Sequence, residues 1–193
     1  YMDFQVRLNA ERLGGNSTVS QLADTVHDFL QRKHPGEVDI AEVQDIKRII
    51  RESEAVSGIE VMGLTTANAR FLNLPFYQTG KVHKAPVGPE DVRITLDLLE
   101  SHRPELIFVA GDLSDPHGTH RMCLEVVQRA LADYSGSAPE LWYYRGAWQE
   151  WTVAAADVLV PLSEEELREK ILAIFKHQSQ KDRAPFPGQD ERE

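Results

Sequence analysis

The sequence is poor in cysteine, in long apolar runs and in basic residues, and each shortage excludes a class of protein. With a single cysteine, Cys123, the 193-residue chain forms no internal disulfide framework, which fits a reducing compartment. No segment approaches the roughly 18 consecutive apolar residues of a transmembrane helix. The 21 basic residues are outnumbered by 31 acidic ones, giving a net charge of −10, and this argues against a nucleic-acid or anionic-membrane partner. We therefore expect an acidic, cytoplasmic globular protein.

Helical and strand-like patterns alternate along the chain. Apolar residues recur at helical spacing over 19–33, 41–56, 90–102 and 122–134, and Ser163 with Glu166 forms a capping box that starts a helix running to about His177. Short strands are predicted over 59–62, 69–74, 106–110, 141–144 and 157–160. This alternation predicts an α/β fold with a mainly parallel sheet.

The predicted domain covers residues 1–180, and a polar tail covers 181–193. Residues 1–18 contain no strong opening strand, so the sheet is expected either to lack its first strand or to take it from another segment. A missing strand would expose a sheet edge, and exposed edges tend to pair with another chain. We therefore expect the isolated chain to dimerise or aggregate. Since the chain does not begin with methionine, it is compatible with a piece of a longer protein.

Two histidines and two aspartates follow the predicted strand 106–110 directly. His117 and His120 lie where that strand gives way to a helix, the edge at which open α/β sheets bind ligands. At this spacing the two imidazoles can converge on a metal or a substrate oxygen, although the pair is also compatible with ordinary polar residues at a helix start. Asp112 and Asp115 could orient His117 or cap the helix.

Five stretches between residues 47 and 180 stand out. The more specific are Ala110-Gly-Asp-Leu-Ser-Asp-Pro-His-Gly-Thr-His-Arg121 and Tyr144-Arg-Gly-Ala-Trp-Gln-Glu-Trp151. The other three are 51–55, 71–80 and 176–180. Together they resemble the PIG-L/LmbE family of zinc-dependent N-acetyl-sugar deacetylases. More closely, they resemble the C-terminal deacetylase-like domain of long, two-domain bacterial glucosamine-6-phosphate deaminase-like proteins. The resemblance implies a three-layer, Rossmann-like fold with a mainly parallel sheet.

The resemblance also implies a zinc centre that hydrolyses an N-acetylated amino sugar. In such proteins His120 would be a zinc ligand, and His117 would stabilise the oxyanion and shuttle protons, with Asp115 or Asp112 orienting it. The family's other two ligands and its general base come from a His-Pro-Asp-Asp motif that this chain does not contain. The family's usual Asp before the second His is Thr119 here. We therefore expect the metal site of this chain to be incomplete.

Arg145 is the candidate substrate-binding residue. It lies among aromatic residues and could contact the phosphate of a sugar phosphate while an aromatic ring stacks on the sugar, or it could serve only in packing. Two functions stay open. The chain is either the hydrolase-type domain of a protein of amino-sugar metabolism, covalently linked to a deaminase domain, or a non-catalytic module that senses a sugar phosphate or packs against that domain.

Overall fold

A computed structural model describes residues 19–34, 37–77, 85–111, 118–145 and 151–180. The segments 1–18 and 181–193, for which we predicted a weak start and a polar tail, lie outside these residues. In chain order the described elements are α1 (Val19–Arg32), α2 (Ala41–Val61), α3 (Pro89–His102), β1 (Leu106–Ala110), α4 (Thr119–Asp133), β2 (Glu140–Tyr144) and α5 (Glu164–Phe175). Short 3-10 turns cover Thr66–Asn68, Val153–Ala155 and Gln178–Gln180.

The chain divides into two compact units. One contains the described parts of 1–71 and 161–193, and so holds α1, α2 and α5. The other is Leu72–Val160, which holds α3, α4 and both strands. The single domain expected over residues 1–180 stays a prediction.

Helices α1 and α2 pack through apolar residues at helical spacing. Val26 of α1 and Val43, Ile46 and Ile50 of α2 are buried together, and Phe29 packs against them. The loop between the two helices contributes Asp39, a buried carboxylate that binds two lysines. This small core follows directly from the apolar pattern that predicted the two helices.

The predicted strand 59–62 is wrong, because α2 continues through Val61. The helix was expected to end at residue 56. Its buried face continues beyond that point, because Ile50, Glu54 and Gly58 are buried at intervals of four residues. The helix closes when Leu64 N–H donates to the Ile59 carbonyl (3.1 Å) and Gly63 N–H donates to the Glu60 carbonyl (3.0 Å). The β-branched residues near the end favour a strand locally, but packing of the helix outweighs that preference.

Two more predicted strands are absent from the described structure. Residues 69–74 follow a 3-10 turn without joining a sheet, and Asn73 has a φ of 48°, which breaks an extended run. Residues 157–160 also stay outside the described sheet, and Val158, Leu159 and Val160 are exposed. An apolar run becomes a strand only where a partner strand accepts its backbone hydrogen bonds, and the local sequence does not show whether one is present.

The two strands of the second unit are parallel. Leu106 pairs with Glu140 and Ala110 pairs with Tyr144, so both strands end at the same edge. Helices α3 and α4 pack against each other, and their core includes Val92, Leu99, Val126 and Ala130, with Ile107 of β1 packed against it. The parallel pair and the strand positions of β1 and β2 confirm an α/β architecture.

The opposite face of this sheet carries exposed aromatic residues. Phe108 is 62% exposed and Tyr144 is 53% exposed, and Phe108 makes an edge-to-face contact with Trp142 at 5.5 Å between ring centroids. Parallel sheets are almost always covered on both faces. The described residues thus form a mixed α/β structure with a two-stranded sheet, and the three-layer arrangement stays a prediction.

The predicted capping box at the start of α5 is confirmed. Ser163 Oγ accepts a hydrogen bond from Glu166 N–H (3.2 Å), and the Glu166 carboxylate accepts one from Ser163 N–H (2.7 Å). The second of these bonds holds the pKa of Glu166 below its usual value. Because both bonds span three residues, the local sequence was enough to predict them.

Candidate functional site

The carboxyl ends of β1 and β2 bring together the two more specific motif stretches, 110–121 and 144–151. Gly111, the residue after β1, donates its backbone N–H to the Tyr144 carbonyl at 2.7 Å. Arg145 is the next residue after β2, so it begins at the same edge of the sheet. Because the ends of parallel strands that are in register meet at one edge, the residues that follow β1 and β2 begin close together.

The next helix after β1 in the chain is α4, which begins at Thr119. Gly118 is the N-cap of α4 and has φ 69° and ψ 4°, a left-handed conformation that favours glycine. A Cβ at this position would also lie 3.0 Å from Arg121 Nη2. His120 is the second residue of the helix and is half-buried. The predicted position of His120, on a helical first turn after a strand, is therefore confirmed, whereas its role as a ligand stays a prediction.

The remaining predicted catalytic residues cannot be placed. His117, Asp112 and Asp115 all lie outside the described residues, between Gly111 and Gly118. Over the ranges that the structure describes, no group of three or more His, Cys, Asp and Glu side chains could hold a metal ion. The described residues alone therefore do not supply a three-ligand zinc site around His120.

Arg145 lies over an aromatic ring. Its guanidinium carbon lies 3.8 Å from the centroid of the Trp151 ring, and its Nε is buried. Such a stack combines cation–π attraction with contact between two planar groups. Both residues belong to the stretch Tyr144–Trp151, one of the two more specific matches in the sequence. The structure shows where the predicted substrate-binding arginine lies and identifies Trp151 as its partner.

A buried aspartate that sequence reasoning missed joins two separate points of the backbone. Asp91 accepts a hydrogen bond from Phe76 N–H (2.9 Å) through one carboxylate oxygen and from Gly88 N–H (2.8 Å) through the other. It thereby holds together two points that flank the undescribed residues 78–84. A sequence signal existed: Pro89 and Asp91 are typical of the first turn of a helix, where a carboxylate accepts backbone N–H groups.

Two other motif stretches meet in the first unit. The buried Glu54 carboxylate accepts hydrogen bonds from Ser179 N–H (2.7 Å) and from Ser179 Oγ (2.6 Å). Glu54 belongs to the stretch 51–55 and Ser179 to the stretch 176–180. Spacing alone also makes an ion pair of Glu54 with Arg51, three residues away on the same helix, possible. The structure instead gives Glu54 a partner 125 residues away.

Comparison with known proteins gives one clear relative. Over 194 aligned residues the chain is 42% identical to a glucosamine-6-phosphate deaminase-like protein of Bacteroides thetaiotaomicron. The match covers 97% of this chain but only 29% of the relative. No protein-family model and no solved structure matches the chain. The resemblance to the two-domain deaminase-like proteins is thus supported by this match, while the PIG-L/LmbE family is not confirmed.

None of the described helices is both long enough and apolar enough to cross a lipid bilayer.

Proposed function

We propose that this chain binds a phosphorylated amino sugar at the carboxyl edge of β1 and β2, as part of a protein of amino-sugar metabolism. The observation that carries the proposal is Arg145, which begins at the edge where ligands bind in parallel α/β sheets and stacks on Trp151. The name of the Bacteroides relative supports the substrate class, because glucosamine 6-phosphate combines an amino sugar with an anion.

The physical chemistry of Arg145 fits a phosphate ligand. A guanidinium stacked on a ring keeps its N–H donors in the plane, where they can form paired hydrogen bonds to phosphate oxygens. Because the chain carries a net charge of −10, its overall electrostatic potential repels anions. A cation held in place at the site is therefore needed to bind an anionic ligand.

Calorimetric titration of the chain tests this proposal. We expect glucosamine 6-phosphate to bind at least about tenfold more tightly than glucosamine, since a charge-assisted bidentate contact contributes about 1.5–3 kcal/mol. Arg145→Ala should remove that preference and leave the weaker binding of glucosamine unchanged. Equal affinities for the two sugars in the unmodified chain would contradict the proposal.

The finer proposal is a zinc-dependent hydrolase of the deacetylase type, with His120 as metal ligand, His117 as the proton-shuttling residue and Asp115 or Asp112 orienting it. The position of His120 on the first turn of α4 supports it. A zinc titration with His120→Ala as control decides between the two functions that the sequence left open. One-to-one binding that the substitution abolishes supports the hydrolase, and no binding favours a module that recognises the sugar phosphate without catalysis.

The partners of the chain belong to the same proposal. Because the chain spans only 29% of the relative that it matches, a covalently linked second domain such as a deaminase is consistent with the comparison. The alternative to a linked domain is a homodimer, in which a second copy of the chain would cover the exposed aromatic face of the sheet. Light scattering at high concentration tests the homodimer, and a monomer at all concentrations would count against it.

A further inference from the structure

One face of the Trp151 ring is occupied by Arg145. With the guanidinium carbon 3.8 Å from the ring centroid, no sugar ring can stack on that face. From its place in the sequence, Arg145 could contact the anion while a neighbouring aromatic ring stacks on the sugar. For Trp151 the geometry indicates a different role, which is to hold the arginine.

Gly111 packs closely against the end of β2. A Cβ at Gly111 would lie 2.8 Å from Tyr143 Cβ, whereas its 3.5 Å distance from Trp151 Cζ2 would be an ordinary van der Waals contact. The first distance is too short for two carbon atoms, so any side chain at Gly111 would displace Tyr143 and with it the end of β2. The residue that follows β1 thereby controls the setting of Arg145, which follows β2.

We propose that Trp151 is a positioning residue for Arg145, that Gly111 leaves the end of β2 in the place from which Arg145 reaches Trp151, and that the arrangement aims the guanidinium at the phosphate of the ligand. This inference rests on the proposed function, since it takes the ligand to be a phosphorylated amino sugar. Stacking desolvates one face of the guanidinium and restricts its rotation, so less conformational entropy is lost when the in-plane N–H groups bind phosphate oxygens.

The test measures the ratio of affinities for glucosamine 6-phosphate and glucosamine by calorimetry on the whole chain. We expect Trp151→Leu to lower this ratio about fivefold through weaker phosphate binding, because a cation–π contact contributes about 1 kcal/mol. Trp151→Phe keeps an aromatic face and should restore most of the ratio. Gly111→Ala should lower it like Trp151→Leu although it leaves the tryptophan in place.

The matched control is Trp142→Leu, which removes a tryptophan that contacts Phe108 on the exposed sheet face. It should leave the ratio unchanged. Thermal unfolding followed by circular dichroism identifies variants that do not fold, and if Trp151→Leu is one of them, Trp151→Phe and Gly111→Ala decide the question.

The outcomes separate the inference from the proposed function. If Arg145→Ala removes the phosphate preference but the Trp151 and Gly111 variants retain it, the positioning role is refuted and the proposed function stands. If the Trp151 and Gly111 variants weaken both sugars equally, their role is structural and the inference again fails. If the unmodified chain shows no phosphate preference, the proposed function itself is wrong.

Discussion

Replacing Asp39 by asparagine should destabilise the unit formed by α1 and α2. The Asp39 carboxylate is 5% exposed and accepts hydrogen bonds from Lys33 Nζ at 2.5 Å and from Lys47 Nζ at 2.6 Å. Asparagine keeps the size of the side chain but removes the charge. The substitution therefore tests the ion pairs with little change in packing.

The magnitude follows from the exposure of the three side chains. Removing one partner of a fully buried ion pair costs about 3–5 kcal/mol, because the remaining charge is left without compensation. Here the lysine side chains are 26% and 39% exposed, so water can solvate their ammonium groups once the carboxylate is gone. We therefore expect Asp39→Asn to lower the free energy of unfolding by about 2 kcal/mol near pH 7.

The effect should depend on pH in a defined direction. Burial raises the pKa of Asp39, but the hydrogen bonds and charges of Lys33 and Lys47 more than offset this, and the pKa is lowered overall. A carboxyl group with a lowered pKa stabilises the folded state above its unfolded pKa of about 4, and this contribution is lost as the pH falls through the folded pKa. The difference between Asp39→Asn and the unmodified chain should thus be constant from pH 7 to about pH 5 and shrink below about pH 4.

Urea unfolding followed by far-ultraviolet circular dichroism measures this difference. The control is Asp45→Asn, because Asp45 lies on α2 with its side chain 55% exposed and 3.4 Å from Arg48, and should change stability by less than about 0.5 kcal/mol. A loss at Asp39 no larger than at Asp45, or one that is undiminished at pH 3, would refute the reasoning.

Three further substitutions probe other contacts by the same unfolding measurement. Thr95→Val should stabilise the chain by about 1 kcal/mol, because the buried Thr95 Oγ1 has no hydrogen-bond partner among the described residues; a loss of stability would reveal a partner. Ser163→Ala should cost about 1 kcal/mol by removing the N-cap of α5, and no change would mean that the cap contributes nothing. In a double-mutant cycle, Glu54→Gln and Ser179→Ala should couple by about 1 kcal/mol, whereas strictly additive effects would contradict the observed hydrogen bonds.

The local sequence determined much of the secondary structure and the place of the candidate site. The capping box of Ser163, the strand over 106–110 and the strand over 141–144, which the structure extends to Glu140, were all predicted, because each depends on residues a few positions apart. The parallel pairing then placed Gly111 and Arg145 at one edge. This edge, where we propose that the ligand binds, is the carboxyl end of β1, after which the sequence places His117 and His120.

Only the tertiary structure decided which residues hold one another in place. It made Ile59–Met62 the end of a helix and its cap, because burial of one face of α2 outweighed the strand preference of β-branched residues. It brought Ser179 to Glu54, a contact across 125 residues that spacing along one helix cannot indicate. It also placed the Arg145 guanidinium on Trp151. Spacing along a chain limits which residues can meet nearby, but contacts between distant segments form only when the chain packs, and then burial and hydrogen bonding select among them.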